Sequence, residues 1–220
     1  GSKWWYSYNS TTQKAQKKSY PANDWVTISG KRYHFDSKGY MNTGWQKLSN
    51  TWYYFGSDGA LRTGWQKISN TWYFLNRKTG AMATGWAQVD GSWYYLKSSG
   101  AMATGWAKVN STWYYLKSSG AMATGWAKVG GSWYYLKSSG AMATGWAKVG
   151  NTWYYLNSSG VMATGWAKVS GKWYYLNSSG AMLANQWVGN YYVQSDGSMA
   201  TNKWIGRYYV NGSGLWAATR

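Results

Sequence analysis

The chain has 220 residues, with 20 Trp and 22 Tyr against 3 Phe, so its apolar mass lies in amphipathic rings and one large aliphatic core is excluded. A formal charge of +18, from 23 Lys and Arg against 5 Asp with no Glu, predicts attraction to a polyanion. Cysteine is absent, which removes disulfides and thiolate metal sites, and no stretch reaches the roughly 18 consecutive apolar residues of a membrane span.

Residues 1–24 contain Trp4, Trp5, Tyr6 and Tyr8, a worn version of the pattern that follows. A polar, basic stretch from Thr11 to Lys18 then reads as a linker or a short exposed helix. Gly1-Ser2 reads as a cloning remnant, and export is left open.

From Trp25 to residue 186 the chain is periodic. Its fullest unit runs Trp106-Ala107-Lys108-Val109, a small turn, Trp113-Tyr114-Tyr115-Leu116, Lys117-Ser118-Ser119-Gly120 and Ala121-Met122-Ala123-Thr124-Gly125. The unit recurs from Trp126 and Trp146, and with drift from Trp45, Trp65, Trp86 and Trp166, a period of about 20 residues. Such a period marks a solenoid whose units bury apolar surface only against their neighbours. Trp-Tyr-Tyr-Leu predicts a strand, Ser-Ser-Gly a turn and Ala-Met-Ala-Thr the return strand of a β-hairpin. A ladder of turn glycines, Gly39, Gly59, Gly80, Gly100, Gly120, Gly140, Gly160 and Gly180, then Gly197 and Gly214, is expected at positive φ. One unit is a residue longer, and the excess falls in the turn Asn76–Gly80, where it disturbs packing least. At 187–220, Trp187 and Trp204 open shortened units with Asn190 and Arg207 where the second Trp would stand, which reads as terminal capping.

Alternation along the strand places Trp113 and Tyr115 on one face and Tyr114 on the other. One face can therefore line the unit's own pocket while the other closes the pocket of the preceding unit. The box so formed has three rings: the Trp after Gly, the Trp seven residues on, and the middle Tyr of the next unit. Inward π faces suit a quaternary ammonium, a cation without hydrogen-bond donors.

The Gly-Trp, Trp-Tyr-Tyr-Leu and Gly-Ala-Met-Ala-Thr-Gly-Trp elements from Trp45 to Gly180 resemble the choline-binding repeats of Gram-positive surface proteins. The resemblance implies an all-β repeat, a left-handed superhelix of β-hairpins, with choline of wall or membrane-anchored teichoic acid seated between consecutive hairpins. It implies boxes of Trp45, Trp52 and Tyr73, of Trp65, Trp72 and Tyr94, and of Trp86, Trp93 and Tyr114. The series continues with Trp106, Trp113 and Tyr134, with Trp126, Trp133 and Tyr154, and with Trp146, Trp153 and Tyr174. Trp166 and Trp173 close with Tyr191 of a shortened unit, and Trp25, Tyr33 and Tyr53 form a variant box in which Tyr replaces a Trp.

Tyr54, Tyr95, Tyr115, Tyr135, Tyr155 and Tyr175, with the Leu after each or its equivalent, are assigned to hairpin packing. Met102, Met122, Met142 and Met162 are assigned there too, the alternative being a pocket wall. Lys108, Lys128, Lys148 and Lys168, with Lys97, Lys117 and Lys137 at the turns, either keep the rod soluble or meet phosphates of a phosphocholine polymer.

The inventory argues against catalysis. All five Asp read as turn or loop residues, and the sole histidine, His34, reads as a substitution at a middle-Tyr position. No metal-ligand cluster, nucleophile motif or phosphate-cradling loop is present, and no cofactor is expected. A catalytic domain could exist only outside this chain. The expectation is thus a non-catalytic, extracellular module that binds choline or phosphocholine on teichoic and lipoteichoic acid, attaching the protein to the bacterial wall or surface. An adhesin or virulence role, a host-protein partner and a homodimer are left open. The alternative is a glucan- or oligosaccharide-binding repeat, disfavoured by the doubled Trp, while nucleic acid is not expected as a partner because no recognised module for it is present.

Overall fold

The computed structural model of the chain describes residues 4–16 and 18–220. The basic stretch after the first aromatics forms a short helix, α1 (Ser10–Gln16), whose first turn is capped by the Asn9 side chain accepting the Thr12 N–H at 2.9 Å. It is the only helix among the described residues.

Strands follow in hairpin pairs. They are β1 (Asp24–Ile28) with β2 (Lys31–Phe35), β3 (Gly44–Leu48) with β4 (Thr51–Phe55), and β5 (Gly64–Ile68) with β6 (Thr71–Leu75). Then come β7 (Gly85–Val89) with β8 (Ser92–Leu96), β9 (Gly105–Val109) with β10 (Thr112–Leu116), and β11 (Gly125–Val129) with β12 (Ser132–Leu136). The full-length pairs end with β13 (Gly145–Val149) and β14 (Thr152–Leu156), then β15 (Gly165–Val169) and β16 (Lys172–Leu176). Two trimmed hairpins remain: β17 (Gln186–Val188) with β18 (Tyr191–Val193), and β19 (Lys203–Ile205) with β20 (Tyr208–Val210), the latter joined by β21 (Trp216–Thr219).

The fold is all-β and serial, as the periodicity predicts, but the hairpin partner differs from the expected one. Trp-Tyr-Tyr-Leu pairs with the preceding Gly-Trp-Ala-Lys-Val: Trp126 faces Tyr135, Ala127 faces Tyr134 and Lys128 faces Trp133. The reason lies in the two-residue loop. Gly130 and Gly131 have φ of 55° and 83°, the doubly positive turn whose twist matches that of antiparallel strands. The wider Lys-Ser-Ser-Gly turn closes with Gly140 N–H donating to Lys137 O at 2.8 Å and delivers Ala-Met-Ala as a strap. Met142 N–H donates to Trp113 O of the previous hairpin, and Ala143 N–H to Tyr135 O of its own, each at 2.8 Å. The strap ties two hairpins together instead of extending one.

Every glycine of the turn ladder has positive φ. At Gly160 the requirement is double: φ is 79°, and a Cβ would collide with Met142 Sδ. The longer turn closes from Gly80 N–H to Asn76 O, and the hairpins on either side keep their register, Trp65 facing Phe74 and Trp86 facing Tyr95.

The chain divides into two compact units, Gly1–Gly105 with Leu116–Met122, and Trp106–Tyr115 with Ala123–Arg220. Within the first, Phe74, Val89 and Leu96 form a buried cluster against Trp65, Tyr94 and Met102. Within the second, Leu136, Leu156 and Leu176 are fully buried at the last position of each aromatic strand. The deepest core is therefore this thin aliphatic line, while the adjoining Tyr are half-buried.

Candidate functional site

Strand alternation divides each hairpin. In β11 and β12, Trp126, Lys128, Trp133 and Tyr135 share one face, and Ala127, Tyr134 and Leu136 the other. The second face packs on the hairpin before it, so its middle Tyr reaches the preceding unit's tryptophans.

Trp106 and Trp113 stand perpendicular at 89° with centroids 6.4 Å apart, and Tyr134 of the next hairpin meets Trp106 at 4.8 Å. Met142, Ser158 and Ser159 complete the lining of a cavity of about 420 Å³. The methionine is thus a pocket wall as well as a packing residue, the alternative left open by its sequence position. The serines, supplied by the turn after β14, are additional lining residues that the ring pattern alone does not mark.

The arrangement recurs. Trp45 lies 6.3 Å from Trp52 and 4.9 Å from Tyr73, around a cavity also lined by Met82, Ser98 and Ser99. Trp65 lies 6.4 Å from Trp72 and 4.8 Å from Tyr94, and Trp146 lies 6.5 Å from Trp153 and 4.8 Å from Tyr174. Trp126 meets Tyr154 at 4.7 Å, with Trp133 on the same hairpin face. Trp166 meets the Tyr191 of the trimmed unit at 5.3 Å, and with Trp173 and Met199 they line a cavity of about 320 Å³. Trp86 and Trp93 stand 6.5 Å apart in the first compact unit, whereas Tyr114 belongs to the second. The outer Trp of each full pair is about 40% exposed, so each recess opens to solvent.

The variant box is built differently from its sequence expectation. Trp25 meets Tyr53 at 5.1 Å, but in β1 and β2 it faces His34, while Tyr33 faces Val26 on the opposite side. Arg32, facing Thr27, occupies the outer-Trp position. The strap confirms this register: Leu61 N–H donates to Arg32 O as Met82 N–H donates to Trp52 O, each at 2.8 Å. His34 correspondingly holds the third aromatic position rather than the middle one, buried, with Nδ1 2.6 Å from Asn42 Oδ1.

Tyr33 instead lines a cavity of about 410 Å³ with Trp4, Trp5, Tyr6, Met41 and Asp58. Met41 N–H donates to Trp4 O at 2.8 Å, so Trp4 holds an outer-Trp position that a single worn copy does not reveal in sequence. The Tyr8 hydroxyl donates to Asp24 at 3.0 Å, and burial with that bond pushes its phenol up to about 12, fixing this segment to β1. Near the other end, Trp187 meets Tyr208 at 5.7 Å and Tyr208 meets Trp216 at 5.8 Å. Trp216 N–H donates to Asn190 O, which puts Trp216 at a methionine position and Asn190 at an outer-Trp position.

Charge is distributed with the same period. Lys108, Lys148 and Lys168 Nζ lie 5.9, 6.0 and 5.9 Å from the ring centroids of Trp113, Trp153 and Trp173, at the rims of the recesses. The carboxylates serve turns and surface ion pairs. Asp90 is held below its usual range by the Arg77 guanidinium, Asp58 by the Ala60 amide, then Arg62 and Lys31, and Asp196 chiefly by the Ser198 hydroxyl and amide. Asp24 opens β1 and so lies in a strand rather than in the expected turn or loop. Among the described residues no group of three His, Cys, Asp or Glu could hold a metal, and no helix is long and apolar enough to cross a membrane.

A choline-binding repeat family model matches residues 22–62, 42–84, 62–105, 83–124, 103–144, 123–156 and 143–187, and a second such model matches 181–216. The chain belongs to the choline-binding repeat family. Among solved structures, it is similar to CbpJ from Streptococcus pneumoniae TIGR4, with 35% identity over 88% of this chain and 92% of that one, at a TM-score of 0.70. It is also similar to choline binding protein F of the same species, in the presence of a tetrasaccharide-pentapeptide peptidoglycan analogue, with 43% identity over 83% and 66% of the two chains and a TM-score of 0.71. A structure of CbpF in complex with ipratropium matches at 34% identity over 88% and 92%, with a TM-score of 0.66. Comparison with curated proteins gives no match. The choline-binding repeats of this chain make it a binding module, and the ring pairs of Trp45 with Tyr73 and of Trp106 with Tyr134 each join consecutive hairpins of it.

Proposed function

We propose that this module recognises choline, or the phosphocholine of teichoic and lipoteichoic acids, at its repeated aromatic recesses and so attaches the protein to the bacterial surface, without catalysis of its own. The observation that carries this reading is the recess of Trp106, Trp113 and Tyr134: perpendicular indoles and a closing phenol, with a thioether and no carboxylate in its lining. A primary amine would exchange three water hydrogen bonds for at most the Ser158 and Ser159 hydroxyls, with no carboxylate to pair it, whereas a trimethylammonium has no donor to satisfy and is attracted to the ring faces. The quaternary ammonium of ipratropium in the CbpF complex has the same chemistry.

Each ring contributes about 1–2 kcal/mol to a desolvated cation. After ordering losses a three-ring seat retains about 4 kcal/mol, which is near-millimolar affinity. One such seat is too weak to hold a cell wall. Repetition changes this, because a polymer bound at one recess presents its next cholines at high effective concentration. The lysines at the rims meet the phosphates that link those cholines, adding a salt-sensitive term that free choline lacks.

Titration followed by tryptophan fluorescence tests the reading. Choline is expected to give a saturable change and glucose oligomers none; saturation by the oligomers with no choline response would replace this function by glucan binding. Retention on a phosphocholine polymer is expected to weaken between about 0.05 and 0.5 M salt while free-choline affinity stays constant. Equal retention at both salt concentrations would remove the phosphate role of Lys108, Lys148 and Lys168.

A further inference from the structure

The aromatic recess at Trp25 contains a cation supplied by the chain itself. Arg32 holds the position of an outer Trp, by strand register and by the hydrogen bond that the Leu61 N–H donates to its carbonyl, yet its side chain does not stand off as an indole does. The outer rings at Trp52, Trp72 and Trp113 lie 6.3 to 6.4 Å from their inner partners, leaving space between the two walls. The Arg32 guanidinium carbon lies 4.5 Å from the Trp25 ring centroid, at stacking distance and nearer than those outer rings lie to their inner partners, with the rest of the side chain exposed to solvent. Its Nη1 also reaches Thr79 O at 3.5 Å, in the turn that carries the extra residue of the long unit. Tyr53 closes on Trp25 from the next hairpin at 5.1 Å, so two of the three expected rings are present. The third is replaced by a cation lying on one of them. A guanidinium also lies over Trp204, that of Arg220 at 4.6 Å, although it is delivered by the residue that bonds Arg207 O and not by the outer-Trp position itself.

We propose that Arg32 is an internal cation that occupies the seat formed by Trp25 and Tyr53, so that this recess rejects quaternary ammonium ligands. The proposal rests on the choline reading of the other recesses for its ligand, but the seating of Arg32 stands on geometry independent of any ligand. A trimethylammonium could enter only by displacing the guanidinium from the ring, and the two cations would then repel each other at close range. Among the recesses closed between paired hairpins, binding therefore begins at Trp45. The recess at Trp25 acts as a clamp that holds the Arg32 side chain of β2 between the Trp25 ring and the Thr79 carbonyl of the turn after β6.

The test follows individual indole N–H resonances of the full chain by nuclear magnetic resonance during addition of choline chloride. The indoles of Trp45, Trp106 and Trp146 are expected to titrate to saturation, while Trp25 moves less than a tenth as far at the same concentration. In Arg32→Gln, Trp25 is expected to join the responding set with the remaining spectrum unchanged, and in Arg32→Lys, which keeps a cation, to respond at least several-fold less than in Arg32→Gln. Titration of Trp25 in step with Trp106 in the unsubstituted chain overturns the proposal, as does its silence in a folded Arg32→Gln. The seating is read separately without ligand: Arg32 Hδ and Hε protons are expected upfield by ring current and to return on Trp25→Leu. Unshifted Arg32 protons contradict the proposal. Shifted protons, with no indole responding to choline anywhere, uphold the internal cation and overturn the choline reading instead.

Discussion

Leu136→Ala is expected to destabilise its hairpin by about 2–5 kcal/mol, the largest single effect on folding that a conservative change in this chain should produce. Leu136 is fully buried, faces Gly125 across its hairpin and bridges to Met142 of the strap. The surrounding elements are two-stranded, and no second layer exists within one hairpin to collapse into the space left by the missing methyls. Because units in such an array support one another through neighbouring interfaces, the loss should also broaden the transition. Urea unfolding followed by circular dichroism checks this. A midpoint shift equivalent to under about 0.5 kcal/mol would show that the tyrosines and tryptophans, not the leucine line, form the principal core.

Trp153→Ala is expected to have the opposite profile. Its ring is 41% exposed, stands 6.5 Å from Trp146 at 90°, and has no role in the Leu156 line. Stability should therefore fall by no more than about 1 kcal/mol. The recess of Trp146, Trp153 and Tyr174 should lose one ring's share of its affinity, about 1–2 kcal/mol, or roughly 5- to 30-fold in dissociation constant. Trp153→Phe should restore part of that loss, since a smaller π face remains. Indole-resolved titration distinguishes the outcomes: the Trp146 signal weakens in its response while Trp106 and Trp45 titrate as before. A uniform loss at every recess would make Trp153 a fold determinant. An unchanged Trp146 response would remove the outer ring from the site.

Much of this architecture was legible because the repeats are close copies. The order Gly-Trp, Trp-Tyr-Tyr-Leu, Gly recurs with so little change that the alternation of Trp113, Tyr114 and Tyr115 could be read once and applied along the chain. The rings that alternation assigned to one recess are adjacent wherever both lie in one compact unit, as at Trp106 and Tyr134. The pairing partner was less legible, because both Trp-Ala-Lys-Val and Ala-Met-Ala-Thr have the length of a strand. Backbone twist decided between them, through doubly positive turns such as Asn110 and Ser111, at φ of 47° and 66°.

The worn ends misled for a specific reason. Lys31-Arg32-Tyr33-His34-Phe35 contains no Trp to anchor it, and a shift of one residue exchanges the two faces of a strand. Read one place out of register, Tyr33 looks like an outer wall and His34 like a middle Tyr. In the structure they belong to the opposite face and to the third aromatic position. The strap hydrogen bond from residue 61 to residue 32 fixes the alignment, and it has no signature in composition. The same bond identifies Trp4 as an outer Trp of the aromatic pattern and Trp216 as the strap residue at a methionine position. Met142 and the Ser158-Ser159 pair were visible as periodic residues, but only the three-dimensional path of the strap and turn brings them to the tryptophans of an earlier hairpin.

The central claim is that Trp106, Trp113, Tyr134 and their counterparts hold the methylated nitrogen of choline. Crystals of the full chain soaked in choline decide it most directly. The account predicts density for a trimethylammonium group against both indoles and the phenol, with Met142 beneath it and Arg32 still over Trp25. Recesses of unchanged geometry that hold only water at saturating choline, or choline bound elsewhere on the hairpins, would contradict it.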